Sequence, residues 1–248
     1  MRVVVAGATG LIGSLAVARL RDHGVEVVPV SRATGVDIST GDGLDVALRA
    51  ADVIVDVTES PSRNQEVSTA FFATATSTLL KAAATAGVEH YVALSMVGTD
   101  RVGSGYFQAK AVQEDLAKRS TVPHSVVRAP LFFESVETVA VTSTRPDGVY
   151  VPPLLMRPAA ADDVASAVAH VAVGVPLFGV LEVAGPEVLP FEELASQVLA
   201  ARGRASRVVA DQRALYFGAM LEERTLLPAP GADLHLGHHT FDRWLKEL

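Results

Sequence analysis

The stretch from Val3 to Gly13, read as Val3-Val4-Val5-Ala6-Gly7-Ala8-Thr9-Gly10-Leu11-Ile12-Gly13, constrains this chain more than any other. A β-branched run with no polar interruption has the character of a parallel strand buried on both faces. Glycines follow at positions 7, 10 and 13, and Leu11, Leu15 and Ile12, Ala16, Leu20 then recur at helical spacing. Strand, tight turn and helix start make a site for an anion, because free backbone N–H groups and the positive end of the helix dipole point the same way. A pyrophosphate fits there only if side chains are absent, which is the reason for glycine. The spacing is Gly-x-x-Gly-x-x-Gly rather than Gly-x-Gly-x-x-Gly, and its position between strand and helix gives it weight. Met1-Arg2 and the uncharged run to Ala16-Val17-Ala18 also have the outline of a secretory signal. Evenly spaced glycines have no place in such a signal, and its cleavage would remove the strand that the remaining chain needs.

The rest of the sequence repeats this alternation. Val25–Val30 is a second buried strand ending at Ser31-Arg32, and Gly35–Ile38 a stub of strand. A short helix spans Asp42–Ala50, and Val53–Val57 is a third apolar strand ending at Thr58. Ser62-x-x-Gln65 resembles a capping box opening a long helix that Gly87 closes. His90–Leu94 is a strand ending at Ser95, Tyr106–Arg119 a helix, and Ser125–Arg128 a strand closed by Ala129-Pro130. Beyond this, helices are expected over Leu131–Val141, from Asp162 or Asp163 as N-cap to Val173, from Pro190 to Ala201, and near Ala214–Glu223 and Thr240–Leu248. Short extended pieces fall at Gly148–Val151, Val180–Ala184 and Arg207–Ala210. The expectation is an α/β doubly wound parallel sheet, Rossmann-like, with a small C-terminal annex on the substrate side. The 248 residues read as one domain, 1–248, with about 131–160 and 186–248 forming the annex. Ligands of such sheets bind at the carboxyl ends of the strands, here Gly7, Ser31, Thr58, Ser95 and Pro130.

Composition narrows the function. Lys plus Arg number 21 against 28 Asp plus Glu, a net charge of −7, which argues against a nucleic-acid surface. There is no cysteine, so disulfide and thiolate chemistry are excluded, in keeping with a reducing, cytoplasmic setting. The uncharged run Val164–Leu181 is broken by His170, Gly174, Pro176 and Gly179 and reads as helix, turn and strand rather than a membrane span. The expected partner is a small molecule, with neither nucleic acid nor membrane, and the chain a monomer or homodimer.

Tyr106 and Lys110 lie four apart on one helix and share a face. A free phenol has a pKa near ~10, and a nearby ammonium favours its anion, so the pair is expected to act at a carbonyl oxygen as proton donor or acceptor. Ser95 at its strand end could hold the substrate oxygen or merely cap its own backbone. At the second strand end, Ser31-Arg32 without a carboxylate favours a 2′-phosphate, hence NADP, with NAD possible. Asp37 faces the ribose or the adenine amino group. His235, His238 and His239 read as solvated or structural rather than a metal site, and Asp100-Arg101 as a surface pair. Leu131, Phe132, Phe133, Tyr150, Met156, Tyr216, Phe217 and Met220 are candidates for an apolar pocket, of which two or three would touch a ligand.

Together these residues resemble the short-chain dehydrogenase/reductase superfamily, in its atypical, NmrA-like NAD(P)-binding branch. The likeness is carried by Gly7–Gly13, Ser95-Met96-Val97-Gly98, Tyr106-Phe107-Gln108-Ala109-Lys110, Val127–Phe132 and Val183-Ala184-Gly185-Pro186. It implies cofactor contacts at Gly7, Thr9, Gly10, Leu11, Ile12, Arg32 and Lys110, with Ser31, Asp37, Ile38, Val57, Thr58 and Pro130 completing the cradle. It implies a catalytic Ser95, Tyr106 and Lys110, and hydride transfer to a small apolar carbonyl or quinone-like compound. Some members of the branch bind NADP as redox sensors without turnover. A sugar-nucleotide epimerase or dehydratase is a third reading, disfavoured by the short segment after residue 200.

Overall fold

The computed structural model describes residues 1–204 and 207–248. Strand β1 (Arg2–Ala6) enters helix α1 (Leu11–Asp22) through the glycine turn, and β2 (Glu26–Val30) follows. Then come α2 (Leu44–Ala47), β3 (Val53–Asp56), α3 (Gln65–Ala86), β4 (His90–Met96), α4 (Gly105–Arg119) and β5 (His124–Ala129). The second half carries α5 (Val136–Val141), β6 (Thr144–Arg145), β7 (Gly148–Val151), β8 (Leu155–Met156), α6 (Ala161–Val173) and β9 (Val180–Ala184). It ends with β10 (Leu189–Pro190), α7 (Phe191–Ala201), β11 (Val208–Ala210), β12 (Leu234–Leu236) and α8 (Phe241–Lys246).

Seven strands form one sheet in the order β12-β9-β5-β4-β3-β1-β2, every pair parallel. The strand alternation sets its layers. Val3 and Val5 of β1 pack on α1 and α6, whereas Val4 and Ala6 face α2 and α3 on the other side. Both faces are therefore covered, as the unbroken apolar run requires. The chain leaves β1 for β2 on one side and returns to β3 on the other, so the crevice between the carboxyl ends of β1 and β3 is the topological switch point. The expected doubly wound architecture is present. A separate apolar cluster joins α4, α5, α7 and α8 with the second half's small sheets, around Phe107, Phe133, Val151, Phe191 and Phe241.

Several local expectations are corrected. Gly35–Ile38 forms no strand, because its backbone is taken up by turns: Val36 N donates to Ser31 O and Asp37 N to Asp42 O. The cap of α3 is Asn64, whose side chain accepts from Glu66 and Val67 N–H at 3.0 and 3.2 Å, not Ser62. Ala160 is the N-cap of α6, and Asp162 and Asp163 sit in its first turn, where the dipole favours them. Pro190 precedes α7 rather than opening it. Leu131 and Phe132 are extended, and only a short 3₁₀ turn at Phe133–Ser135 leads into α5. Ala214–Glu223 is not helical: it is irregular around one tight turn in which Tyr216 bridges Ala219. Strand β12, at the sheet edge, has no counterpart in the sequence reading. No helix among the described residues is long and apolar enough to cross a membrane.

Candidate active site

A cavity of about 370 Å³ opens at the carboxyl ends of β1, β3, β4 and β5. Its floor comes from Gly10, Leu11 and Ile12 of the turn, Thr58 and Glu59 after β3, and Ser95 and Met96 at the end of β4. Tyr106 and Lys110 enter from α4, Pro130 to Phe132 from the segment after β5, and Met156, Tyr216, Phe217 and Leu226 close the far side.

The turn can bind an anion. Gly10 is the N-cap of α1 and offers no side chain to its free amides. A Cβ on Gly13 would overlap the Gly7 carbonyl, so only glycine lets helix and turn approach this closely. At the end of β2 the Ser31 hydroxyl is buried without a hydrogen-bond partner, and Arg32 beside it is exposed. Free amides, an orphan hydroxyl and an unengaged guanidinium are the donor set that a phosphorylated dinucleotide would use. Gly7, Thr9, Ser31, Arg32, Asp37, Ile38 and Val57 lie outside the cavity lining. Asp37 uses one carboxylate oxygen on Ser39 N–H at 2.8 Å.

The start of α4 is fixed from two sides: Gly105 N donates to Gln65 Oε1 at 2.7 Å and Tyr106 N to Phe217 O at 2.9 Å. Tyr106 is buried, and its hydroxyl donates to Glu59 Oε1 at 3.0 Å. Burial first, then the charge and hydrogen bond of Glu59, push this phenol above its ordinary value. That corrects the expectation of a phenol made acidic by its neighbour. The Lys110 ammonium donates to Gln113 Oε1 and lies 4.3 Å over the Phe72 ring. Burial lowers its pKa, against the opposing charges of Glu59, Asp56 and Glu114. Gln113 in turn donates to Asp56 Oδ2 at 3.0 Å, and Asp56 also accepts from Tyr91 OH at 2.5 Å and Thr58 Oγ1 at 2.6 Å. Lys110 is thus the end of a buried polar chain under the cavity.

Ser95 donates to Glu114 Oε1 at 2.7 Å, so its proton is committed inside the protein. Glu114 takes a bidentate pair from Arg128 at 2.9 and 2.8 Å, and Arg128 also meets Asp100 at 3.0 Å. Burial pushes the Glu114 carboxyl up, but the hydrogen bonds and charge of Arg128, with hydrogen bonds from Ser95 and Lys118, outweigh it and hold the carboxyl below its ordinary value. Asp100 and Arg101 are therefore not merely a surface pair: Arg101 lies 4.0 Å from buried Glu182. His239 Nδ1 meets Asp163 at 2.8 Å, and Asp163 also accepts the His238 and His239 amides, a tether for β12. Of the apolar candidates, Leu131, Phe132, Met156, Tyr216 and Phe217 line the cavity. Phe133 is core, Met220 is exposed and Tyr150 bonds Asp147 elsewhere.

Glu59, Arg63, Gln113 and Glu114 were absent from the sequence reading. Gln113 and Glu114 stand three and four residues after Lys110, so helical spacing alone places them on its face. Glu59 stands three residues beyond the end of β3 at Asp56.

Residues 3–120 match the NAD dependent epimerase/dehydratase family. Over 147 residues the chain is 31% identical to a (4-alkanoyl-5-oxo-2,5-dihydrofuran-3-yl)methyl phosphate reductase of Streptomyces griseus, covering 54% of this chain and 49% of that protein. The chain thus spans about half the length of this curated relative. Among solved structures, a Thermus thermophilus UDP-glucose 4-epimerase in complex with NAD is similar, with a TM-score of 0.69 and 19% identity over 92% of this chain and 90% of that one. An Escherichia coli NADPH-dependent quinone oxidoreductase complexed with NADPH has a TM-score of 0.61 and 17% identity over 84% and 77%. At these identities the structural likeness speaks for the fold alone.

Proposed function

We propose that this chain is an NADP-dependent oxidoreductase of the atypical short-chain dehydrogenase/reductase type, in the NmrA-like branch, acting on a small apolar carbonyl or quinone-like compound. One observation carries the reading: a single cavity joins the glycine turn at Gly10, Leu11 and Ile12 to Tyr106 and Lys110 under apolar walls. The reductase relative supports the reaction class.

The turn amides and Gly7, Thr9 and Gly10 would hold the pyrophosphate, Ser31 and Arg32 the 2′-phosphate, and Asp37 and Ile38 the adenine side. Val57, Thr58 and Pro130 flank the crevice. When bound, the dinucleotide supplies the hydride. Tyr106 supplies the proton. At neutral pH the phenol is protonated and can donate to a carbonyl oxygen in the direction of reduction, although burial and Glu59 make it a weaker acid while it points at that carboxylate. For this its hydroxyl turns from Glu59 to the substrate. Lys110 contributes a positive charge beneath the site, and Ser95, held by Glu114, fixes the end of β4.

The test is a panel of carbonyls and quinones with NADPH. In Tyr106→Phe, kcat should fall by about 100-fold or more while NADP affinity stays within about threefold. Unchanged turnover would remove Tyr106 as the proton donor. A second reading, a non-catalytic NADP(H) sensor, is favoured by one feature: both hydroxyls that would face a substrate are engaged, Tyr106 with Glu59 and Ser95 with Glu114. Tight NADP binding with no turnover on the whole panel would select it. The epimerase/dehydratase reading draws on the match over residues 3–120 and requires binding of a nucleoside diphosphate sugar.

A further inference from the structure

Beside the reaction cavity lies a second one of about 470 Å³, and the two share Arg63, Tyr216 and Phe217 as their common wall. Its character is different. Arg63, Arg145 and Arg213 line it, and no carboxylate does among the described residues. Among the described residues the acid ion-paired with these guanidiniums is Asp211, which two of the three share: Arg145 at 3.1 Å and Arg213 at 3.5 Å. Arg63 makes no ion pair among the described residues and lies 4.3 Å over the Phe217 ring. One ion-paired carboxylate against three guanidiniums makes this lining positive in a chain whose net charge is −7. The hydroxyls of Thr142 and Thr144 are spent on Val139 O and Val141 O; Ser143 and Tyr216 also stand in the lining, and its charge comes from the guanidiniums. Planar forks of this kind suit phosphate and carboxylate.

We propose that this second cavity binds an anionic group, a phosphate or carboxylate, carried by the substrate whose apolar body occupies the first. The inference rests on the oxidoreductase reading for the identity of the first cavity. Arg63, at the shared wall, meets the anion's near side, and Arg145 and Arg213 its far side.

The probes are hexyl phosphate, hexanoate and hexanol, titrated calorimetrically into the full chain saturated with NADP⁺ so that the glycine turn cannot compete for the anion. The NADP⁺ titration is read first and tests the oxidoreductase reading by itself. If it gives no heat, that reading fails, and the anion site is still judged from the variants. Hexyl phosphate should bind at least tenfold more tightly than hexanol. Arg213→Glu should weaken hexyl phosphate at least tenfold and leave NADP⁺ affinity unchanged. The Arg213 side chain is 86% exposed, so this variant folds. The double variant Arg145→Gln/Arg213→Gln should do the same. Equal affinity for hexanoate and hexyl phosphate assigns a monoanion, and preference for hexyl phosphate a dianion. Hexanol binding as tightly as hexyl phosphate, or hexyl phosphate binding unaffected by Arg213→Glu, would overturn the proposal.

Discussion

His90 sits on β4 with its Nε2 2.8 Å from the Ser125 hydroxyl on β5. Burial, and then the charge of His124, hold its pKa down at about 4. In the unfolded chain a histidine titrates near ~6.5. Between these values the unfolded state binds a proton that the native state refuses, so stability rises with pH through this window and is lost as pH falls through it. The loss should be on the order of 2 kcal/mol, read as the change in urea midpoint between about pH 7 and about pH 5. In His90→Gln the slope over that range should flatten. Arg128 gives the opposite kind of residue. Arg128→Met would strand a buried Glu114 carboxylate and should cost about 3–5 kcal/mol, measured by chemical denaturation, with Glu114→Gln added to the same chain restoring part of it. Neither residue announced itself in the sequence. A histidine or arginine inside a strand carries no periodic mark, and its partners come from strands and helices distant along the chain.

At the level of elements, legibility followed burial. Strands β1 and β3 were readable because coverage on both faces forces apolar runs, β4 and β5 through the shorter runs Tyr91–Leu94 and Val126-Val127, and Gly87 marked the end of α3 through its left-handed φ of 74°. Where several short polar residues compete, spacing could not decide: Asn64 took the cap that Ser62 seemed to offer. Ala214–Glu223 has helical composition but lies against α4, where tertiary packing wins over propensity. Of the candidate site, the turn and the tyrosine–lysine pair were legible. What Tyr106 and Ser95 bond to was not, since Glu59 and Glu114 reach them only through folding. The turn also makes a firm prediction. Gly13→Ala would drive a methyl into the Gly7 carbonyl and part α1 from β1. It should lower the thermal midpoint by several degrees, about 1–3 kcal/mol, followed by circular dichroism, and abolish the dinucleotide binding proposed above, followed by calorimetry.

For the molecule as a whole, the second half is not an appendage. Helix α6 packs on α1 and across the sheet, β9 and β12 extend that sheet, and Arg19 of α1 bonds Asp162 of α6 at 2.9 Å. The single tryptophan, Trp244 on α8, lies 5.4 Å from the Phe133 ring, tilted against it, and stacks on Phe241 at 6.0 Å in the other cluster. Its fluorescence and the far-UV signal of the sheet should therefore lose structure at the same denaturant concentration. Midpoints separated beyond error would mean that the annex unfolds independently. The turn carrying Tyr216 and Phe217 joins these halves, and its attachment to α4 is main chain to main chain: Tyr106 N–H to Phe217 O, with Gly105 pressed so close that a Cβ there would overlap the same oxygen. Fastening of this kind does not depend on which side chains the turn displays. The side chain that Phe217 presents to the cavity can thus be exchanged while Tyr106 keeps its station.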